Sequence, residues 1–166
     1  MANTYTLIDK TTLGSSAASV TFSSIPSTYT DLLLKISSKS DLILANGGAA
    51  IELKLNGTAF SSAKRLESNG STASSNNFEY INGQPSNFTA DTFGNTEIYI
   101  PNYLSTNNKS VSADSVGENN ATLTANSLNA LLYTVTVAIT SVSLNTISGY
   151  NFVSGSSFYL YGIKNS

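Results

Sequence analysis

Ten carboxylates carry most of the reactive chemistry in this 166-residue chain: Asp9, Asp31, Asp41, Asp91, Asp114, Glu52, Glu67, Glu79, Glu97 and Glu118. Two acids flanking a glycosidic bond, about 5 to 9.5 Å apart, can hydrolyse it. Glu79 and Glu97 fall in segments expected to be strands and are the pair placed to meet across a sheet. Both sit at the outward phase beside apolar neighbours, where solvated surface acids are the norm, so neither is assigned a catalytic role. Histidine and cysteine are absent, which removes a Ser-His-Asp triad, thiolate nucleophiles, disulfides and metal sites built on those ligands. A Ser-Lys dyad could be drawn with any of 28 serines and carries no information. Neither a Gly-rich phosphate loop nor a calcium loop of spaced Asp and Asn occurs. The chain is read as a non-enzyme, with no catalytic residue, no metal and no cofactor.

The nine tyrosines are the stronger functional signal. A tyrosine offers a flat apolar face with one polar tip, suited to subunit contacts and to sugar stacking. Tyr99, Tyr159 and Tyr161 share one strand phase while aliphatic residues hold the other, which makes them candidates for contact with a partner. The alternative is that both faces of those strands are buried and tyrosine fills the outer one. Tyr103 and Tyr150 are the candidates for glycan contact if the chain binds carbohydrate, together with loops at 67 to 77 and 145 to 156. Five Asn-x-Ser/Thr patterns begin at Asn56, Asn69, Asn87, Asn108 and Asn120. Chance gives about five at this content of Asn, Ser and Thr, so they carry no signal.

The elements that must position these residues alternate with period two. Leu32, Leu34 and Ile36 oppose Leu33 and Lys35; Ile51, Leu53 and Leu55 oppose Glu52 and Lys54. Ile98 and Ile100 oppose Tyr99, and Phe158 and Leu160 oppose Tyr159, Tyr161 and Ile163. Shorter candidates lie at 19–22, 78–81, 110–116 and 138–144. Asn-Gly pairs at 46–47, 56–57, 69–70 and 82–83 favour the positive φ angles of tight hairpin turns, with "IELKLNGTAF" the clearest hairpin. Only 120 to 135, with Leu123, Leu128, Leu131 and Leu132, has helical spacing, and it predicts one or two turns before a strand. The fold class expected is all-β: an antiparallel two-sheet sandwich of jelly-roll type, about eight strands, with at most one short helix. Residues 10–166 are expected to form a single β-sandwich domain, preceded by an arm at 1–9 that could add a strand to a neighbour.

Composition narrows the partners. Charged residues make up 11% of the chain, under half the usual share of about 25%, while Ser, Thr and Asn together supply 66 residues. Such a surface has little long-range field and suits close lateral packing, although these residues also serve turns and strand faces. The net charge of −2 and a single adjacent basic pair, Lys64-Arg65, argue against nucleic acid as a partner. The first residues show no basic stretch followed by an apolar run, and no window is apolar enough for a membrane helix, so synthesis in a cytoplasm without a signal peptide is expected.

Two blocks carry a likeness. "SSAASVTFSSIPSTYTDLLLKISSKSD" (15–41) and "AITSVSLNTISGYNFVSGSSFYLYGIKNS" (138–166), with "EIYIPNYLSTNNKSVSADSVGENNAT" between them, resemble small β-rich virion proteins of tailed bacteriophages, many of them marine. The motifs are F-x-x-I-P-x-x-Y-x-D-L near the start and L-Y-G-I-K at the end. The likeness covers about two thirds of the chain, and "NALLYTVTVAIT" departs from it by being more apolar. It implies a jelly-roll-like domain on the particle surface, as a capsid decoration, head-fibre or tail-fibre module. The partners implied are other virion proteins, capsid or tail, and copies of the chain itself, since such domains are commonly trimers. The alternative is a tail-fibre or receptor-binding module that binds host surface carbohydrate.

Overall fold

Alternation of side chains becomes strand pairing in a computed structural model, which describes residues 4–43, 49–68, 72–77, 80–119, 124–147 and 149–164. The strands are β1 (Tyr5–Thr12), β2 (Ser19–Phe22), β3 (Asp31–Ser38), β4 (Ala49–Leu55), β5 (Ser62–Ser68) and β6 (Ala73–Asn76). They continue with β7 (Ile81–Gly83), β8 (Gly94–Ile100), β9 (Lys109–Glu118), β10 (Thr124–Tyr133), β11 (Val142–Thr146) and β12 (Ser157–Ile163). Two antiparallel sheets result, an eight-stranded one in the order β1-β12-β3-β8-β9-β10-β5-β6 and a four-stranded one in the order β2-β11-β4-β7. No helix occurs among the described residues.

The core lies between the sheets. Leu32, Leu34, Ile36, Ile98, Phe158 and Leu160 point inward from the large sheet and meet Val20, Phe22, Leu53, Leu55, Val142 and Leu144 from the small one. Each such side chain stabilises the fold by about 1.5–3 kcal/mol relative to exposure. Tyr133 reaches across from β10 and its hydroxyl donates to the Leu53 carbonyl at 2.9 Å, so the one polar atom it buries is satisfied. Asn56-Gly57 forms the expected two-residue turn, with φ of 49° and 78°. That hairpin is one bridge long, Leu55 to Thr58. The long partners of β4 are β11 and β7.

Several expectations need correction. Of the helical turns expected within 120–135, residues Thr124–Tyr133 are strand: β10 buries alternate residues Ala125, Ser127, Asn129, Leu131 and Tyr133. The period is masked in the sequence because two inward positions are polar while Leu128 and Leu132 point outward. Ser127 and Asn129 are tolerated inside because they are bonded, Ser127 to Ser115 at 2.8 Å and Asn129 to the Tyr80 carbonyl at 3.2 Å. The arm expected at 1–9 is, from Tyr5 onward, part of β1, which pairs with β12 of the same chain. Asn82-Gly83 is not a turn but part of β7, where Asn82 accepts a bond from the buried Arg65 at 2.9 Å. The strand count is twelve among the described residues because β1, β5, β6 and β10 add to the eight anticipated. The β5–β6 hairpin, polar and held largely by backbone pairing, has the composition of a loop. Asn46-Gly47, Asn69-Gly70, Phe78, Glu79 and Leu123 lie outside the described residues, and with them the Glu79–Glu97 pairing.

Candidate functional site on the outer sheet face

Because side chains alternate across a strand, cross-strand register decides which residues share a face. On the outer face of the large sheet one row runs through the directly opposed residues Lys10, Tyr159, Lys35, Glu97, Asp114 and Leu128. The neighbouring row runs through Leu7, Tyr161, Leu33, Tyr99, Ser112 and Ala130. The three partner-contact candidates therefore do share a face: Tyr99 and Tyr161 flank Leu33 in one row, and Tyr159 stands in the next.

Tyr99 is oriented by Asp31, whose carboxylate accepts from the phenol at 2.8 Å and from the Asn102 amide at 2.7 Å. That hydrogen bond, then burial, then the carboxylate's charge raise the Tyr99 pKa above its ordinary value. Lys35 and Glu97 form an ion pair in which both side chains remain about half exposed. In such a setting the pair contributes little stability. Tyr5, Leu33, Tyr161 and this ion pair line a hollow of about 280 Å³. A smaller one of about 180 Å³ adjoins it at Glu97 and continues past Tyr99 and Asp114 to Leu128. Beyond that, Leu66 and Leu128 stand directly opposed on β5 and β10 at the rim of a third hollow, of about 390 Å³.

The glycan-contact candidates fare differently. Tyr103 is fully buried and its hydroxyl donates to the Pro26 carbonyl, so it cannot touch a ligand at the surface. Burial raises its pKa. Tyr150 is exposed on the β11–β12 connection, where its carbonyl accepts from the Thr146 hydroxyl at 2.6 Å. Nothing brings the two together. The sequence reading does not single out Leu66, Leu128 and Leu132 as surface residues, yet they are 59%, 53% and 40% exposed. Their signal is an apolar residue at an outward strand phase, and the helical spacing of 120–135 obscures it in β10.

The quoted motif residues meet at one end of the sandwich and are consumed in packing. The Tyr29 ring lies across Gly162, so close that a Cβ there would fall 2.3 Å from Cγ of the ring. The Thr30 amide donates to the Ile163 carbonyl at 2.8 Å. With Asp31 holding Tyr99 and Pro26 holding Tyr103, this is a structural corner and not a reactive cleft. Among the described residues no group of three or more Asp and Glu could hold a metal ion. Compared with protein-family models and with curated proteins, the chain matches none.

Proposed function

We propose that this chain is a structural protein of a bacteriophage particle, a capsid decoration or head-fibre protein that binds the shell through protein–protein contacts. The observation that carries the reading is the outer face of the large sheet. It presents Tyr5, Leu7, Leu66, Val116, Leu128 and Leu132, each 40–59% exposed, on one surface. Large apolar residues gathered on one face mark an interaction surface more often than a catalytic one. The reactive inventory is correspondingly thin, and the motif residues serve the fold.

Strand order supports the finer architecture. With the hairpins β5–β6 and β9–β10 set aside, the sheets read β1-β12-β3-β8 and β2-β11-β4-β7. That is the order of a jelly roll, in which two Greek keys wrap around each other. The two hairpins then extend one sheet sideways and carry Leu66, Val116, Leu128 and Leu132 with them. The partners under this reading are other virion proteins and copies of the chain itself. It assigns the chain no catalytic activity, cofactor, nucleic acid or membrane, and places it in the virion after synthesis in the host cytoplasm.

Mass spectrometry of purified particles tests the proposal. The chain is expected at a fixed, high copy number. Its presence in infected-cell lysate and absence from particles would refute it. A second reading, a tail-fibre or receptor-binding module for host surface carbohydrate, is favoured by the hollow between Tyr5 and Tyr161, where aromatic rings stand beside the Lys35–Glu97 pair. Binding to host polysaccharide that falls when Tyr161 becomes Ala, with a low copy number per particle, would select it.

A further inference from the structure

The outer face of the large sheet is arranged about the line between β3 and β8. Lys10 and Lys35 lie on one side of it; Glu97 and Asp114 lie on the other, all in a single cross-strand row. Four exposed apolar residues stand in two strips at equal distance from that line, while Val116 on β9 and Leu66 on β5, 44% and 59% exposed, have no apolar counterpart on the other side. Tyr5 and Leu7 stand on β1, two strands beyond β3; Leu128 and Leu132 stand on β10, two strands beyond β8. They are 57%, 44%, 53% and 40% exposed. About the line Lys35 thus corresponds to the oppositely charged Glu97, Tyr159 to Asp114, Lys10 to Leu128, and Tyr5 to Leu132. An isologous contact uses such correspondences, since a two-fold axis brings each residue onto the counterpart of another.

We propose that a second copy of this chain packs face to face on this surface, about a two-fold axis running along the boundary between β3 and β8. The axis sets β3 over the second copy's β8, β12 over its β9 and β1 over its β10. Lys35 then meets the second copy's Glu97, and each Lys35–Glu97 pair becomes part of a four-membered network. The Tyr159 phenol faces the second copy's Asp114, which has no ion pair among the described residues. Tyr161 lies over the second copy's Ser112. Tyr5 covers Leu132, Leu7 covers Ala130, the methylene stem of Lys10 lies over Leu128, Leu66 on β5 stays outside the contact, and every contact occurs twice. Six strands at about 4.8 Å spacing and about seven residues of each give a face of roughly 700 Å². That is close to the roughly 800 Å² that each partner contributes to a standard stable interface. A rotation about β3 or β8 sets Lys35 or Glu97 on its own copy, and one about the β8–β9 boundary sets Glu97 on the second copy's Asp114.

The inference does not rest on the virion reading: a dimer formed by a chain that particles lack would leave it standing. Sedimentation velocity over a wide concentration range tests it. The wild-type chain is expected to be a dimer. Lys35→Glu and Glu97→Lys, each alone, are expected to weaken self-association by about tenfold or more, because each sets like charges in contact. Mixed in equal amounts the two variants are expected to form a heterodimer. On one side of the axis the introduced glutamate of the first variant then faces the introduced lysine of the second; on the other side the unchanged Glu97 and Lys35 face each other. Repair of the pair within one chain cannot produce that result. Tyr5→Glu and Leu132→Lys give a second reciprocal pair at exposed positions, in case the first disturbs the fold by circular dichroism. A chain that stays monomeric, that forms a trimer, or whose single variants associate as well alone as mixed would overturn the proposal.

Discussion

Replacing Gly162 by Ala tests whether the motif residues serve packing. The added Cβ would lie 2.3–2.5 Å from three ring carbons of Tyr29. Favourable carbon–carbon contact begins near 3.5 Å, so the ring must retreat by about 1 Å or the β12 backbone must give way. Tyr29 is partly buried against the core, and overpacking of this kind typically costs about 1–3 kcal/mol. For a chain of this size that lowers Tm by about 2–12 °C. Tyr29→Ala alone should also destabilise, by removing apolar contact and leaving a cavity. In the double variant the new methyl occupies space the ring has vacated, so the two costs should fall short of additive by about 1 kcal/mol or more. Urea unfolding of the four proteins gives the coupling directly. A neutral Gly162→Ala, or strictly additive costs, would refute the packing role.

Other outcomes follow from the same geometry. Lys109 is buried and its ammonium donates to the carbonyls of Ser105, Asn107 and Val135 at 2.7, 2.6 and 3.0 Å; Lys109→Met should cost about 2–3 kcal/mol by thermal or urea unfolding, chiefly through the orphaned Val135 carbonyl, and an unchanged midpoint would contradict this. Leu34→Asp places a charge in the core and should abolish folding, against a total stability of about 5–15 kcal/mol; Leu33 points to the opposite face yet is only 6% exposed between Tyr161 and Tyr99, so Leu33→Asp should also destabilise strongly, and an unchanged urea midpoint would count against that burial. Tyr99, Tyr103 and Tyr133 all have pKa values raised above the ordinary 10.0, Tyr99 first by its bond to Asp31 and the others first by burial. A raised folded pKa contributes stability that is intact below the unfolded value and lost as pH climbs through the folded one, so stability should hold to about pH 10 and then fall. Spectrophotometric titration should show Tyr99, Tyr103 and Tyr133 ionising above the ordinary 10.0; a folded chain in which none of the three does so would contradict it.

The sequence disclosed the sandwich core because Leu32, Leu34, Ile36, Ile98 and Phe158 follow the strand period without interruption, and burial on one face is what that period encodes. It also placed Tyr99, Tyr159 and Tyr161 on the outward phase. What it concealed has physical causes. In β10 the inward positions include Ser127 and Asn129, whose partners come from β9 and from Tyr80, so a polar residue inside looked like a residue outside. The sheet extension by β5 and β6 was hidden because backbone pairing needs no apolar side chain. Tyr103 looked like a loop residue able to stack on a sugar, and only the fold reveals that its hydroxyl is taken by Pro26 and its ring by the core.

Imaging a purified particle by electron cryomicroscopy, at a resolution that separates strands, tests the central claim most directly. The account predicts repeated surface density that fits the twelve-stranded domain, with the outer face of the large sheet engaged by another protein surface. Particles whose ordered density leaves no place for this domain, or a domain seated with that face bare toward solvent, would contradict it.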